Sequence, residues 1–382
     1  MKVLYVLPRY HTNMLATIEG WIDHGDEVYM ICQLKGTIEA DEFVEPYYAG
    51  FSKLFLVWQW IHMNIIHRKN PYARDLFIRY GIPPMNKIKR VINDINPDLI
   101  IIRERSFYTI MIYSYCRRKH YKCLLYTQAP EYVVNDDTQN DLRHRIVKRL
   151  TPPVRITPSR QRGITMQNKR KDSNSFFAPF VVKPVLSPGE KQYFRSGRIN
   201  ILDVGKYEER KNHLMLINVF ERLLPIVPDI HLTIVGEVAD EYEERCFNEV
   251  VEKVHNDQLE EKVTLLTNYT KKQVDDLYVN TDLFVLPSTA EVAAVSNVEA
   301  MAYSIPVISG TDNGTADYTV PGVTGDVFED CNEEDLYNKM LAILQDRKNI
   351  ITMGAASYER MRSNYQFKNY YDAIMAACAA DA

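Results

Sequence analysis

The chain has 382 residues, too many for one ordinary compact domain, so two domains with separate cores are the natural reading. With 46% hydrophobic and 25% charged residues it is neither a disordered chain nor, with six scattered cysteines and no Cys-x-x-Cys pair, a disulfide scaffold or zinc module. The net charge of −4 hides a division: 28 Lys and Arg against 18 Asp and Glu in residues 1–190, then 18 against 32 in residues 191–382, or +10 and −14.

Along the chain, short apolar runs alternate with stretches of helical period, the pattern of parallel sheets covered by helices. Met1–Arg9 carries an apolar run too short for a signal peptide or a membrane span and reads as a first core strand, Val3–Leu7. Further strands are expected at Glu27–Cys32, Asp98–Ile102, Lys122–Thr127 and Arg155–Thr157. A second series follows at Ile199–Val204, His231–Val235, Val263–Thr267, Asp282–Leu286 and Pro306–Ile308. Between them, prolines at 184 and 188 interrupt regular structure and place a linker near residues 183–196. The expected domains are therefore 1–190 and 191–367, with a last helix of about 368–382 returning to the first.

The segment Phe51–Asn70 combines aromatic and aliphatic residues with a basic end, as an interfacial amphipathic helix does; alternatively Trp58, Trp60 and Ile61 pack in a core. Arg68, Lys69, Arg74, Arg79, Lys87, Lys89 and Arg90 crowd the stretch behind it. A basic first half suits an anionic membrane or a lipid-phosphate acceptor, or is simply a solvated face. The composition fits a reducing cytosol, with peripheral contact at the inner face of the cell membrane.

Two stretches carry chemistry. Gly205-Lys206-Tyr207-Glu208-Glu209-Arg210-Lys211-Asn212 follows a strand and precedes a helix, so Gly205 allows a backbone turn, and Lys206 and Lys211 stand as countercharges for a diphosphate at the sheet's carboxyl edge. Pro287–Ala302 follows the strand Asp282–Leu286 and leads into a helix with Ala294, Val295 and Ser296 in its first turn, where unpaired amides favour a phosphate. Glu291 stands before that turn and Glu299 near two turns into the helix; a carboxylate there accepts from both hydroxyls of a ribose.

Glu291 and Glu299 with seven residues between, followed by Ala300-Met301-Ala302 and Ile305-Pro306-Val307-Ile308, resemble the EX7E signature of retaining glycosyltransferase family 4. The resemblance extends to Gly205-Lys206, Lys211-Asn212, Leu232–Gly236, Asn313–Asp317 and Gly322–Gly325, covering nearly all of residues 198–330. It is looser in the first half, at His24–Val28 and Phe177–Phe180.

The resemblance implies a GT-B fold: two Rossmann-like α/β domains with parallel sheets facing across a cleft, the donor held by the second and the acceptor by the first. By position, Lys206 and Lys211 would hold the donor diphosphate, Glu299 the ribose and Glu291 the transferred sugar. Arg9, His11 and Gln128 are the candidates for sugar and acceptor. The partners implied are a nucleotide sugar, of UDP type, and a glycan or lipid-linked glycan acceptor, with no nucleic acid. No cofactor and no metal are expected, since basic side chains and helix amides neutralise the leaving diphosphate and no Asp-x-Asp pair occurs in the chain.

Some positions depart from the family pattern. Gln128 replaces a common histidine, Val292 and Ser304 stand where glycines are usual, Lys206 where arginine is common, and Asp317 where a glutamate is. Two other functions share the scaffold: a donor-binding partner subunit without catalysis, and a sugar-nucleotide epimerase using His11 and Glu104 as acid and base.

Overall fold

The computed structural model describes residues 1–35, 43–62, 64, 81–103, 106–134, 149–161 and 169–380. The first half contains β1 (Lys2–Leu7), α1 (Leu15–Asp23), β2 (Glu27–Cys32), β3 (Tyr47–Tyr48), α2 (Lys53–Ile61) and α3 (Met85–Ile95). It continues with β4 (Leu99–Arg103), α4 (Phe107–Arg118), β5 (Cys123–Tyr126), β6 (Tyr132–Val134), β7 (Arg155–Thr157), β8 (Lys169–Lys171) and β9 (Ser175–Phe177). Seven of these strands form a parallel sheet in the order β3-β2-β1-β4-β5-β7-β9, and β6 and β8 pair as a separate antiparallel ribbon. Val3–Leu7 and Leu99–Ile102 are buried without alternation, as strands covered on both faces must be.

The second half contains β10 (Ile199–Val204), α5 (His213–Leu223), β11 (Ile230–Gly236), α6 (Glu241–Asn256), β12 (Val263–Thr267), α7 (Lys271–Asn280) and β13 (Leu283–Leu286). Then come α8 (Ser296–Ala302), β14 (Val307–Gly310), β15 (Gly325–Phe328), α9 (Glu333–Leu344), α10 (Arg347–Asn364) and α11 (Phe367–Ala380). Its sheet runs β12-β11-β10-β13-β14-β15, all parallel. This is the doubly wound order, whose reversal between β10 and β13 opens a crevice at the carboxyl ends of the strands.

Every strand read from the sequence is present. The strands that escaped notice, β3, β6, β8, β9 and β15, have two to four residues each, too few to show a period. Residues 183–196 form no helix or strand, yet the stretch is anchored: Lys191 is buried and its Nζ donates to the Tyr278 and Val279 carbonyls at 3.0 and 3.2 Å.

α11 crosses back to the first sheet, where Tyr370, Ile374, Ala377 and Cys378 share a core with Tyr5 and Trp21. The Trp21 Nε1 donates to the Tyr5 hydroxyl at 2.8 Å, and that hydroxyl lies 3.1 Å from the hydroxyl of Tyr370. Gly20 permits this crossing, because a Cβ there would fall 2.3 Å from the Phe367 ring. The halves also meet at buried Tyr318, whose hydroxyl donates to the Pro158 carbonyl at 2.6 Å and accepts the Phe180 amide at 3.2 Å.

The expectation that Trp58, Trp60 and Ile61 could be core is corrected. Ser52 caps α2, accepting the Phe55 amide, and only Phe55 is buried, against Phe51 and Ile82. Leu54, Val57, Trp58, Trp60 and Ile61 face solvent, Leu54 at 85% and Trp60 at 63% exposure. The remainder of the aromatic segment, with Arg68, Lys69, Arg74 and Arg79, lies outside the described residues. No helix among the described residues is long and apolar enough to cross a membrane.

Candidate functional site

The loops after β10, β11, β13 and β14 meet at the carboxyl edge of the second sheet. Gly205 and Gly236 end neighbouring strands, and a Cβ on Gly236 would fall 2.2 Å from the Gly205 carbonyl oxygen, so these two loops lie backbone to backbone. Beneath them Tyr207 is fully buried, its hydroxyl reaching the Ile234 and Leu266 carbonyls at 3.2 and 3.1 Å. His213 opens α5 with Nδ1 2.8 Å from Asp203 Oδ2 and Nε2 3.0 Å from the Lys206 carbonyl, which fixes the turn bearing the basic residues.

Lys211 and Glu291 are brought into direct contact, Nζ to Oε2 at 2.6 Å. Arg210 joins them, its Nη1 2.9 Å from the same Oε2 and its Nε 2.7 Å from Glu208. Burial alone would push the Glu291 carboxyl up, but the charges and hydrogen bonds of Lys211 and Arg210 outweigh it and hold the carboxyl below its ordinary range. The backbone reinforces the arrangement: the Thr289 amide donates to the Arg210 carbonyl at 2.9 Å, and the Gly314 amide to the Glu291 carbonyl at 2.9 Å. A Cβ on Gly314 would fall 1.8 Å from the Val292 carbonyl oxygen, so only glycine permits the loop bearing Glu291 to lie this close.

Lys206 lies apart from that cluster. Its Nζ is 2.9 Å from Glu237 and 2.8 Å from Glu243, and the buried Glu243 also accepts the Ala239 amide at 2.7 Å.

Glu299 falls in the first turn of α8 rather than two turns in, because the helix begins only at Ser296; Val295 is its cap and Ala294 precedes it. The expectation of Ala294, Val295 and Ser296 inside the turn is corrected accordingly. The Val298 and Glu299 amides close onto the Val295 carbonyl, and helix geometry leaves those of Ser296 and Asn297 without an intrahelical acceptor. The Glu299 carboxylate is positioned by the Tyr278 hydroxyl at 3.4 Å and Lys271 at 3.5 Å.

Across the cleft, Arg9 and His11 follow β1, and half-buried Gln128 lies two residues beyond β5, all at the carboxyl edge of the first sheet. His11 is pushed down to about 4 by burial and by the positive charges of Arg103 and Arg9, while Glu237 of the second half pulls it upward. His11 is therefore neutral near pH 7 and a weak base, which disfavours it as an epimerase acid or base; Glu104, its suggested partner, lies outside the described residues. A separate cavity of about 220 Å³ between the halves is lined by Arg160, Phe177, Asp317, Arg360 and Tyr365. There burial pushes the Asp317 carboxyl up to about 6, against the pull of Arg160, Arg360 and Lys169.

Sequence reasoning nominated neither Arg210, Arg103 nor Glu237. Arg210 stands beside Lys211 in the same basic run, and nothing in one dimension tells which neighbour faces the cleft. Among the described residues no group of three or more His, Cys, Asp and Glu is placed to hold a metal.

Two facing parallel sheets, with basic and acidic side chains gathered at the carboxyl edge of the second, define a chain of the GT-B glycosyltransferase fold. Residues 190–364 match the family model Glycosyl transferases group 1. The EX7E resemblance is consistent with the match. A mannosylfructose-phosphate synthase of Agrobacterium fabrum is 32% identical over 144 residues, covering 36% of this chain and 30% of the relative. The chain thus matches less than half the length of that curated relative. Two solved structures share the whole fold: a glycosyltransferase of Rickettsia africae (TM-score 0.67, 17% identity, 100% of this chain and 98% of that one) and Anabaena HepE in complex with UDP (TM-score 0.69, 14% identity, 100% of both chains).

Proposed function

We propose that this chain is a glycosyltransferase that moves a sugar from a nucleoside-diphosphate sugar, of UDP type, to a glycan acceptor. The observation that carries the reading is the convergence of Lys211 and Arg210 on Glu291 at the switch point of the second sheet. Two fixed cations beside a carboxylate supply what the departing diphosphate and a sugar hydroxyl need. The group 1 match and the UDP complex of HepE support the same chemistry.

In the finer reading, an acceptor hydroxyl attacks the anomeric carbon on the face from which the diphosphate leaves. The bond to the diphosphate oxygen breaks, the new glycosidic bond forms, the hydroxyl proton passes to the leaving phosphate, and configuration is retained. Lys211 neutralises the leaving group without a metal, Glu291 binds the sugar and Glu299 the ribose. Arg9, His11 and Gln128 face the acceptor side, and none is required as a strong base. The acceptor is lipid-linked and belongs to surface polysaccharide synthesis; the apolar face of α2 is the natural element to meet the membrane at its cytoplasmic side.

The test is incubation with a panel of nucleotide sugars, with and without glycan acceptors, in excess EDTA. Acceptor-dependent release of nucleoside diphosphate is expected. Binding without turnover would make the chain a partner subunit, an isomerised donor would make it an epimerase, and rescue by added magnesium or manganese would overturn the metal-free leaving-group site.

A further inference from the structure

We infer that the separate cavity between the two halves binds a small oxyanion, a phosphate or sulfate group, between Arg160 of the first half and Arg360 of the second. The site lies apart from Lys211 and Glu291, and the inference does not depend on donor binding. At about 220 Å³ the cavity is far larger than a single water needs. The Arg160 guanidinium lies 4.4 Å from the centre of the Phe177 ring, and among the described residues no carboxylate pairs with it. Arg360 donates from Nε to the Tyr318 carbonyl at 2.5 Å and from Nη2 to the Asp317 carbonyl at 2.9 Å, again with no carboxylate paired among the described residues. A ring face and two neutral carbonyls fix both guanidiniums without cancelling their charge. An anion entering between them therefore gains two charge-assisted contacts and orders little that is not already ordered.

The acidic group on this wall is Asp317, whose Oδ1 is buried and has no hydrogen-bond partner among the described residues. Burial pushes its carboxyl up to about 6 against the pull of Arg160, Arg360 and Lys169, so it takes a proton readily. Once protonated it no longer repels an anion and instead donates its O–H to one of the anion's oxygens. Binding thus draws one proton onto Asp317. The other titratable groups beside it move differently: Tyr318 and Tyr365 are pushed up by burial, and Lys169 is pushed down by burial while Asp317 pulls it up. Asp317 also closes the loop of Gly314, whose amide donates to the Glu291 carbonyl at 2.9 Å. An anion held here joins the two halves and touches the loop that positions Glu291, so its occupancy bears on how the cleft closes.

The experiment is calorimetric titration at constant ionic strength with sulfate, inorganic phosphate and glycerol phosphate, with and without saturating UDP, of the wild-type chain, Arg160→Gln, Arg160→Lys, Arg360→Gln and Asp317→Asn. Thermal unfolding checks folding, and if Arg360→Gln does not fold the two Arg160 variants decide. Saturable binding is expected in the wild type whether or not UDP is present. Arg160→Gln and Arg360→Gln should each weaken it about tenfold, with Arg160→Lys recovering part of the loss and the UDP affinity of Arg160→Gln staying within about threefold of wild type. Sulfate, whose own charge is fixed in this range, should bind the wild type about tenfold or more weakly at pH 8 than at pH 6, and Asp317→Asn about equally at both. Tighter binding of glycerol phosphate than of the free ion supports the site with a phosphate ester as its occupant, and the reverse order supports it with inorganic phosphate. No saturable binding in the wild type, unchanged affinity in Arg160→Gln, displacement of sulfate by UDP, or a wild type indifferent to pH would each overturn the inference.

Discussion

The Nζ of Lys211 lies 2.6 Å from Oε2 of Glu291, joining the loop after β10 to the loop after β13 across the reversal in strand order. The pair is largely buried, with side-chain exposures of 10% and 12%. It is at once a tie between two loops and a charged site opening into the cleft.

Replacing Glu291 with Gln should separate these roles. The folded state lowers this carboxyl's pKa, so its contribution is full above the unfolded value, near 4.5, and is lost as pH falls through the lower folded value. Glu291→Gln is expected to lose about 1–3 kcal/mol at pH 7, with the difference from wild type shrinking below about pH 4. Urea denaturation at pH 7 and pH 3.5 reads both; an equal loss at the two pH values would contradict the ion-pair account.

Glu299→Gln is expected to weaken UDP binding about tenfold or more, the loss of a charged hydrogen bond of roughly 1.5–3 kcal/mol, while the fold survives. Among the described residues its carboxylate is held by long contacts from Tyr278 and Lys271, which leave it able to turn to a ribose. Calorimetry checks this, and an unchanged dissociation constant would remove Glu299 from the site.

Asp317 has the opposite sign. Its pKa is raised to about 6 in the folded chain from an ordinary 3.8, so the folded state holds the proton more tightly and loses stability as pH rises through that window. Asp317→Asn should therefore be the more stable protein at pH 7.5, by up to about 2–3 kcal/mol, and equal to wild type near pH 4. Melting curves at the two pH values decide it; destabilisation at pH 7.5 would show that attraction to Arg160 and Arg360 outweighs burial.

The exposed face of α2 gives the membrane reading a direct probe. Replacing both Trp58 and Trp60 with Ser should reduce sedimentation with anionic vesicles severalfold, and added salt should weaken binding of the wild type. Equal recovery of the wild type with neutral and anionic lipid, or no loss in the double variant, would leave this face without a role at membranes.

The sequence by itself determined the two parallel sheets, because buried parallel strands are unbroken apolar runs and the helices between them keep a 3.6-residue period. It also marked Gly205, Lys211, Glu291 and Glu299, whose residue types and positions follow local rules for strand ends and helix starts. Even Ser304, a departure in the sequence, acquires its reason only in three dimensions: its φ is +57°, the left-handed region that favours glycine, and its hydroxyl donates to the Leu186 carbonyl at 2.7 Å. Which of three neighbouring cations meets Glu291, the capture of Lys206 by Glu237 and Glu243, and the exposure of Trp58 and Trp60 were decided by tertiary structure alone. Charge pairing and exposure depend on which loops the two sheets bring to a common edge, and contacts between residues 31 to 81 positions apart leave no periodic trace along the chain.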